Sequence, residues 1–174
     1  NGAVSISSTS GTTKFDTSAT GLFNGTVTSI TLSSGTGSFY FKDTKVGSPT
    51  ISISSTGLTS ASQVETIVAG PATQLAITSA AQSVTAGFVS SAVTVESQDA
   101  YGNLASSSAV VGLSSTSGTM KFDTSATGPF NCTVTSITLS GGSSSVYFKD
   151  TTAGSPTITI FAAGLISTSL EETI

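Results

Sequence analysis

The stretch "SVYFKDTTAGSPTITIFA", Ser145–Ala162, alternates apolar and polar side chains on both sides of a turn. Val146 and Phe148 fall on one face of the first run, and Ile158 and Ile160 on one face of the second. This period of two is that of a half-buried strand rather than a helix. The intervening "AGSP" supplies a glycine for an unusual backbone angle and a proline that ends the ladder. Working outward, "TQLAITS" places Leu75 and Ile77 inward, and "SAVTVESQD" places Val93 and Val95 inward with Thr94 and Glu96 outward. "QSVTA", "AVVGLSS", "TVTSITLS" and "SLEETI" read as further strands, separated by the turns "DAYGN" and "SGGSS". Strands this short, with a turn every 8–12 residues, are the pattern of a β-sandwich.

Composition agrees. Ser and Thr make up roughly two fifths of the 174 residues, whereas charged residues reach only 8%. Thr, Val and Ile are stiff at χ1 and suit a pleated strand. The recurrent Val, Ile, Leu and Phe supply a core, so the low charge does not indicate disorder. The expected fold class is all-β.

The chain repeats itself. An offset of 107 residues aligns Asn1–Ile67 with Ser108–Ile174 without a gap, with about two thirds of the positions identical. "KFDTSATGLFNGTVTSITL" at Lys14–Leu32 returns as "KFDTSATGPFNCTVTSITL" at Lys121–Leu139. A period of this length fits a self-contained sandwich of ~100 residues, not a solenoid repeat of 20–50. The expected organisation is an incomplete module over residues 1–67, a short linker at 68–72 and a complete module over 73–174. The "IVAGPATQL" boundary, with its single Pro, predicts a semi-rigid connection. The equivalent of Gly70–Ser107, with about three strands, is missing from the first module. That leaves inner faces and strand edges open. Swapping between identical chains cannot repair the deficit, because each chain has one leading segment and two bodies that need one. Two expectations follow. The chain is a window on a longer tandem array, which is favoured, or another polypeptide supplies strands by β-augmentation. Starting at "NGAVSIS", it reads as a mature or excised piece of a larger secreted product.

The segment "VTVESQDAYGNLASSSAVVGLSSTSG" resembles the bacterial immunoglobulin-like modules of the invasin and intimin group. Its strand ends in Asp, followed by a Gly-Asn turn, a spacer and a Val-rich strand. "GSSSVYFKDTTAGSPTITI" is similar to their closing hairpin. The resemblance covers Gly70–Ile174 and the matching part of the first copy. It implies tandem immunoglobulin-like sandwiches serving as a spacer or adhesion module on a cell surface or in an extracellular fibre. The family has no shared catalytic residues to carry over.

The inventory of side chains points away from catalysis and from nucleic acid. The chain has no His, so the usual imidazole base and the Ser-His and Cys-His pairs are lacking. There is no Arg, and five scattered Lys in a chain of net charge −4 make no phosphate-binding stripe. No apolar run approaches the ~18 residues of a membrane-spanning helix. The Gly-rich "SGTGS" and "SGGSS" precede strands, so they offer no helix N-terminus to a phosphate. Each Asp of "KFDTS" and "FKDT" is read as a solvated partner of the adjacent Lys. Alternation turns Lys42 and Lys149 outward, away from an isopeptide crosslink. No cofactor is expected.

Several residues remain as candidate sites. Asp99, Asn103 and Asp123 carry the hard oxygen ligands Ca²⁺ prefers, although two carboxylates are few for it and the Asp99–Asn103 pair also reads as a turn. Asn24 and Asn131 head the N-glycosylation sequons "NGT" and "NCT" at the same repeat position. Cys132 has no internal partner and is either a free thiol or an intermolecular bridge. Tyr40, Tyr101 and Tyr147 are the candidates for stacking on a surface glycan or receptor. Ice or mineral binding is disfavoured because the Thr-x-Thr patterns are interrupted. The expected protein is extracellular, at a cell surface or in a secreted fibre. Its partners are copies of itself or further modules that complete residues 1–67.

Overall fold

The computed structural model describes residues 2–174, and no helix occurs among them. The chain divides into two compact units, the first ending at Val68 and the second spanning Ala69–Ile174.

The first unit contains β1 (Ala3–Ser8), β2 (Lys14–Asp16), β3 (Ser29–Thr31), β4 (Tyr40–Lys42), β5 (Thr50–Ser54) and β6 (Ala61–Val64). Four of these form a sheet in the order β3-β1-β5-β6, and β2 pairs with β4 in a separate ribbon. Val4, Ile6, Phe15, Ile30 and Ile51 form its buried core, with Phe39 and Phe41 packed against it but only half-buried.

The second unit contains β7 (Gln74–Ile77), β8 (Val93–Gln98), β9 (Val110–Ser115), β10 (Lys121–Asp123), β11 (Ser136–Thr138), β12 (Ser143–Lys149), β13 (Thr157–Ala162) and β14 (Leu165–Glu171). They run in the order β10-β12-β8-β7-β14-β13-β9-β11. β7 is the strand common to both layers of the sandwich. It pairs antiparallel with β8 and parallel with β14 through Gln74 and Ile166. Beyond β7 the chain stays along β14, where Ser83 bridges Thr173 in parallel. The inward residues expected from alternation meet in one core: Leu75, Val93, Val95, Val146, Phe148, Ile158 and Ile160 are buried, and Ile77 packs against them. The result is an all-β chain of tandem immunoglobulin-like sandwiches, the first without its leading strands.

Comparison of the copies shows what those strands contribute. Ser143–Val146 of β12 pair with β8, whereas Tyr147–Asp123 and its two neighbouring pairs join β12 to β10. In the first unit only the second half persists, so β4 has three residues where β12 has seven. Ile160 is fully buried, but the identical Ile53 is 36% exposed. Full burial of a side chain of this size contributes about 1.5–3 kcal/mol, so each half-covered residue forgoes a share of that. The leading segment itself adds two strands, with short bridges at Ser83 and Val89, rather than three strands.

One cross-strand pair has changed in concert. Gly112 lies opposite Phe161, whose ring occupies the space a Cβ would need, at 2.4 Å. The counterparts Ser5 and Ser54 are paired in the same register with two small side chains.

Candidate functional site

The repeated "KFDTSATG" is a loop wound around a carboxylate. Asp16 accepts hydrogen bonds from Ser18 N at 3.0 Å and Phe23 N at 3.3 Å. Asp123 accepts the same pair from Ser125 N and Phe130 N. The hydrogen bond from Ser18 N, then that from Phe23 N, holds the Asp16 carboxyl below its ordinary range. A Cβ at Gly21 or Gly128 would lie 2.0 Å from these carboxylates, which explains the glycine five residues on. The Asp of "FKDT" ties a second loop. Burial works against ionisation of Asp43, but the Thr12 and Thr13 hydroxyls outweigh it and keep its carboxyl well below the usual range. At Asp150 burial is likewise outweighed by the Ser117 and Thr119 hydroxyls. Its Oδ2 is buried without a partner, because Met120 stands where Thr13 does. These aspartates are therefore acceptors inside loops rather than solvated partners of lysine: Asp123 and Asp150 are 7% and 1% exposed. Lys42 faces outward and lies over the Phe23 ring at 4.6 Å.

Asp99 is engaged in the same way. Its Oδ1 accepts from Tyr101 N and Asn103 N, and Asn103 Nδ2 reaches both oxygens. Gly70 N, at the entry to the second unit, donates to Oδ2 at 3.0 Å. The Asn103 amide above all brings the Asp99 carboxyl down to about 2. The third candidate calcium ligand is elsewhere. Asp123 is level with Tyr147 on the sheet, whereas Asp99 lies beyond the Glu96–Ser143 pair. That is about seven strand residues, or ~20 Å, away. Among the described residues, no cluster of three or more His, Cys, Asp or Glu is arranged to hold a metal ion.

The sequon residues Asn24 and Asn131 sit in exposed loops ahead of β3 and β11. Each Asn Oδ1 accepts a hydrogen bond from the sequon Thr hydroxyl at 2.7 Å. Cys132 is exposed and has a φ of 70°, while its counterpart Gly25 has a φ of 84°. Tyr101 is 69% exposed and Tyr40 45%, whereas Tyr147 is half-buried in β12.

Two concavities lie in the first unit, on the apolar face that β7 and β8 cover in the second. One, of about 350 Å³, is lined by Phe39, Phe41, Ile53, Ala61, Gln63 and Glu65. A second, of about 400 Å³, lies between Val4, Ile30, Leu32, Phe39 and Leu58. In the second unit the corresponding interior is filled by Leu75, Val93 and Val95. The carboxyl at its rim is Glu172, fully buried, with Oε2 accepting from Gln82 N at 2.5 Å and Oε1 unpartnered. Burial pushes its pKa up, only partly opposed by the Gln82 hydrogen bond. The identical Glu65 lines the open groove instead. Sequence reading missed both glutamates, since nothing in the shared "ETI" distinguishes an inward carboxylate from a solvated one.

Neither a protein-family model nor a curated protein matches the chain. Solved structures do. A β-glycosidase from Bacteroides vulgatus matches over 99% of this chain and 21% of its own, with 17% identity and a TM-score of 0.50. A glycosyl hydrolase family 2 member from Bacteroides cellulosilyticus matches over 98% and 21%, with 16% identity and a TM-score of 0.51. The surface layer protein SbsC, domains 4–9, matches over 98% and 21%, with 17% identity and a TM-score of 0.44. The chain spans about a fifth of the length of each. At these identities the likeness concerns the fold alone, that of an all-β sandwich.

Proposed function

We propose that the chain is a non-catalytic structural segment of an extracellular protein. Its tandem immunoglobulin-like units build a stalk or fibre at the cell surface, in the manner of the invasin and intimin modules. The observation that carries this reading is the repetition of 67 residues of a sandwich, down to exposed loop residues such as Thr17–Thr20 and Thr124–Thr127. Carboxylates that could serve chemistry are instead committed to loop closure in both copies. Copies of the same repeat are the natural partners of the first unit, through strand addition at its open edges. The sequons place glycans, where the source attaches them, on exposed loops.

The test is the location and form of the native protein. Surface labelling of intact source cells, with electron microscopy of the extracted material, is expected to show exposed extended structures. An intact mass far above that of a 17.1 kDa chain would accord with an array. Recovery in the cytosolic fraction would overturn the reading. A second reading, an adhesin or carbohydrate-binding module, draws on the exposed Tyr101 in a turn fixed by Asp99. Reproducible glycan-array binding that is lost in Tyr101→Ala would favour it.

A further inference from the structure

The repeat itself shows what covers the open face of the first unit. In the second unit β8 pairs with Ser143–Val146, and the segment from Thr73 to Val84 follows β14. Thr173 donates its N–H to Gln82 O and accepts from Val84 N, while Glu172 accepts from Gln82 N. Phe148 exchanges main-chain and hydroxyl bonds with Ser90. The first unit retains the receiving side of this arrangement. Thr66, Glu65 and Phe41 are identical in type to Thr173, Glu172 and Phe148, and among residues 2–68 no segment faces them as Gln82–Ser90 face their counterparts. Gly37–Phe39, level with Ser144–Val146, lie outside any strand. An apolar interior, a row of main-chain groups and a rim carboxylate thus face one groove, each with its complement known from the other copy.

We propose that this groove is a docking site for the leading strand pair of another copy of the repeat, a segment with the chemistry of residues 73–98. The proposal rests on the reading of the chain as a repeating structural protein, and it names the partner of that assembly. The incoming pair runs antiparallel to Gly37–Phe39 and parallel to β6, with Glu65 accepting one of its main-chain N–H groups. Alternate β-branched residues, equivalent to Val93 and Val95, enter the groove over Phe41 and Ile53. Phe39 replaces Val146 and stacks edge-on against Phe15 with centroids 5.6 Å apart. The larger ring narrows that end of the groove, so it selects for Val or smaller opposite it rather than an aromatic side chain.

The test adds a synthetic peptide of residues 70–107 to the full chain and follows hydrogen exchange by mass spectrometry. The two copies differ in sequence at Gly37–Phe39 and Ala61–Val64, so their fragments are distinguishable. One equivalent of peptide is expected to slow exchange at Gly37–Phe39 and Thr66 at least tenfold. A Val93→Asp, Val95→Asp peptide is expected to do nothing. Glu65→Ala in the full chain is expected to weaken docking by about tenfold to a hundredfold, the effect of losing one hydrogen bond to a charged acceptor. Three outcomes would overturn the proposal: no slowing at these amides, slowing confined to Ser143–Val146 by exchange into the second unit, or protection of the groove by self-association without peptide. Failure here leaves the surface-stalk reading intact, because that depends on where the native protein is found. A cytosolic native protein leaves peptide docking measurable.

Discussion

At the scale of single residues, Glu172 makes the chain's response to pH unusual. Its carboxyl is raised in the folded state, so the stability it allows is fully present below its unfolded value and is lost as pH rises through the folded one. Asp99 and Asp150 act in the opposite sense: they are lowered, and their contribution is lost as pH falls below the ordinary 3.8. With no His in the chain, little else titrates between pH 5 and 8. The thermal stability of the second unit is therefore expected to fall as pH rises above the ordinary glutamate value of 4.5. Glu172→Gln is expected to flatten that slope whatever its absolute stability, and an unchanged slope would refute the assignment. Cys132 offers a second test. A non-glycine residue in the left-handed region costs about 1–2 kcal/mol, part of which a glycine returns through its freer unfolded chain. Cys132→Gly is expected to stabilise the second unit by about 1 kcal/mol, raising its midpoint by roughly 4–8 °C in a domain of this size. The fall of these residues was only partly legible in the sequence. Asp99 was readable as a turn former from "DAYGN", but the burial of Asp123, Asp150 and Glu172 was not. A carboxylate is placed inside only when specific N–H and O–H donors converge on it, and those come from 2 to 90 positions away.

At the scale of elements, alternation located β8, β12 and β13 because one face of each is buried and the period of two is visible over six or seven residues. It could not find β2 and β10, which have three residues each and are held by pairing with β4 and β12. Nor could it show that β7 joins both layers, because that depends on pairing with β14 at the far end of the unit. The first unit has no counterpart of β8 among its described residues, and this has a measurable signature at the turn before β12. Gly142 has a φ of 92°, and a Cβ there would lie 2.3 Å from Ala105 O. Gly35, its counterpart, has a φ of 82° and open space around it. Gly142→Ala is expected to cost about 2–4 kcal/mol, from backbone strain together with overpacking against a main-chain atom. Gly35→Ala is expected to cost only the strain, about 1 kcal/mol. Equal losses in chemical denaturation would mean that the two turns have the same surroundings.

At the scale of the whole molecule, two copies with similar sequences have unequal interiors. The first unit has five residues in its buried core cluster, the second thirteen. Calorimetry is expected to resolve two transitions, the earlier one belonging to the first unit, with faster hydrogen exchange at Ala61–Val64 than at Leu165–Glu171. Coincident melting would contradict this. The parallel alignment of the leading segment with β14 has a mechanical consequence. Tension on the two ends of the second unit draws Thr73–Val84 and Ile166–Thr173 past each other lengthwise. The bonds from Ile166 N to Thr73 O, Thr173 N to Gln82 O and Val84 N to Thr173 O then resist together as a shear clamp. A zipper, in contrast, would open them one at a time. In a chain pulled from both ends, this one strand pairing sets the force at which the unit yields.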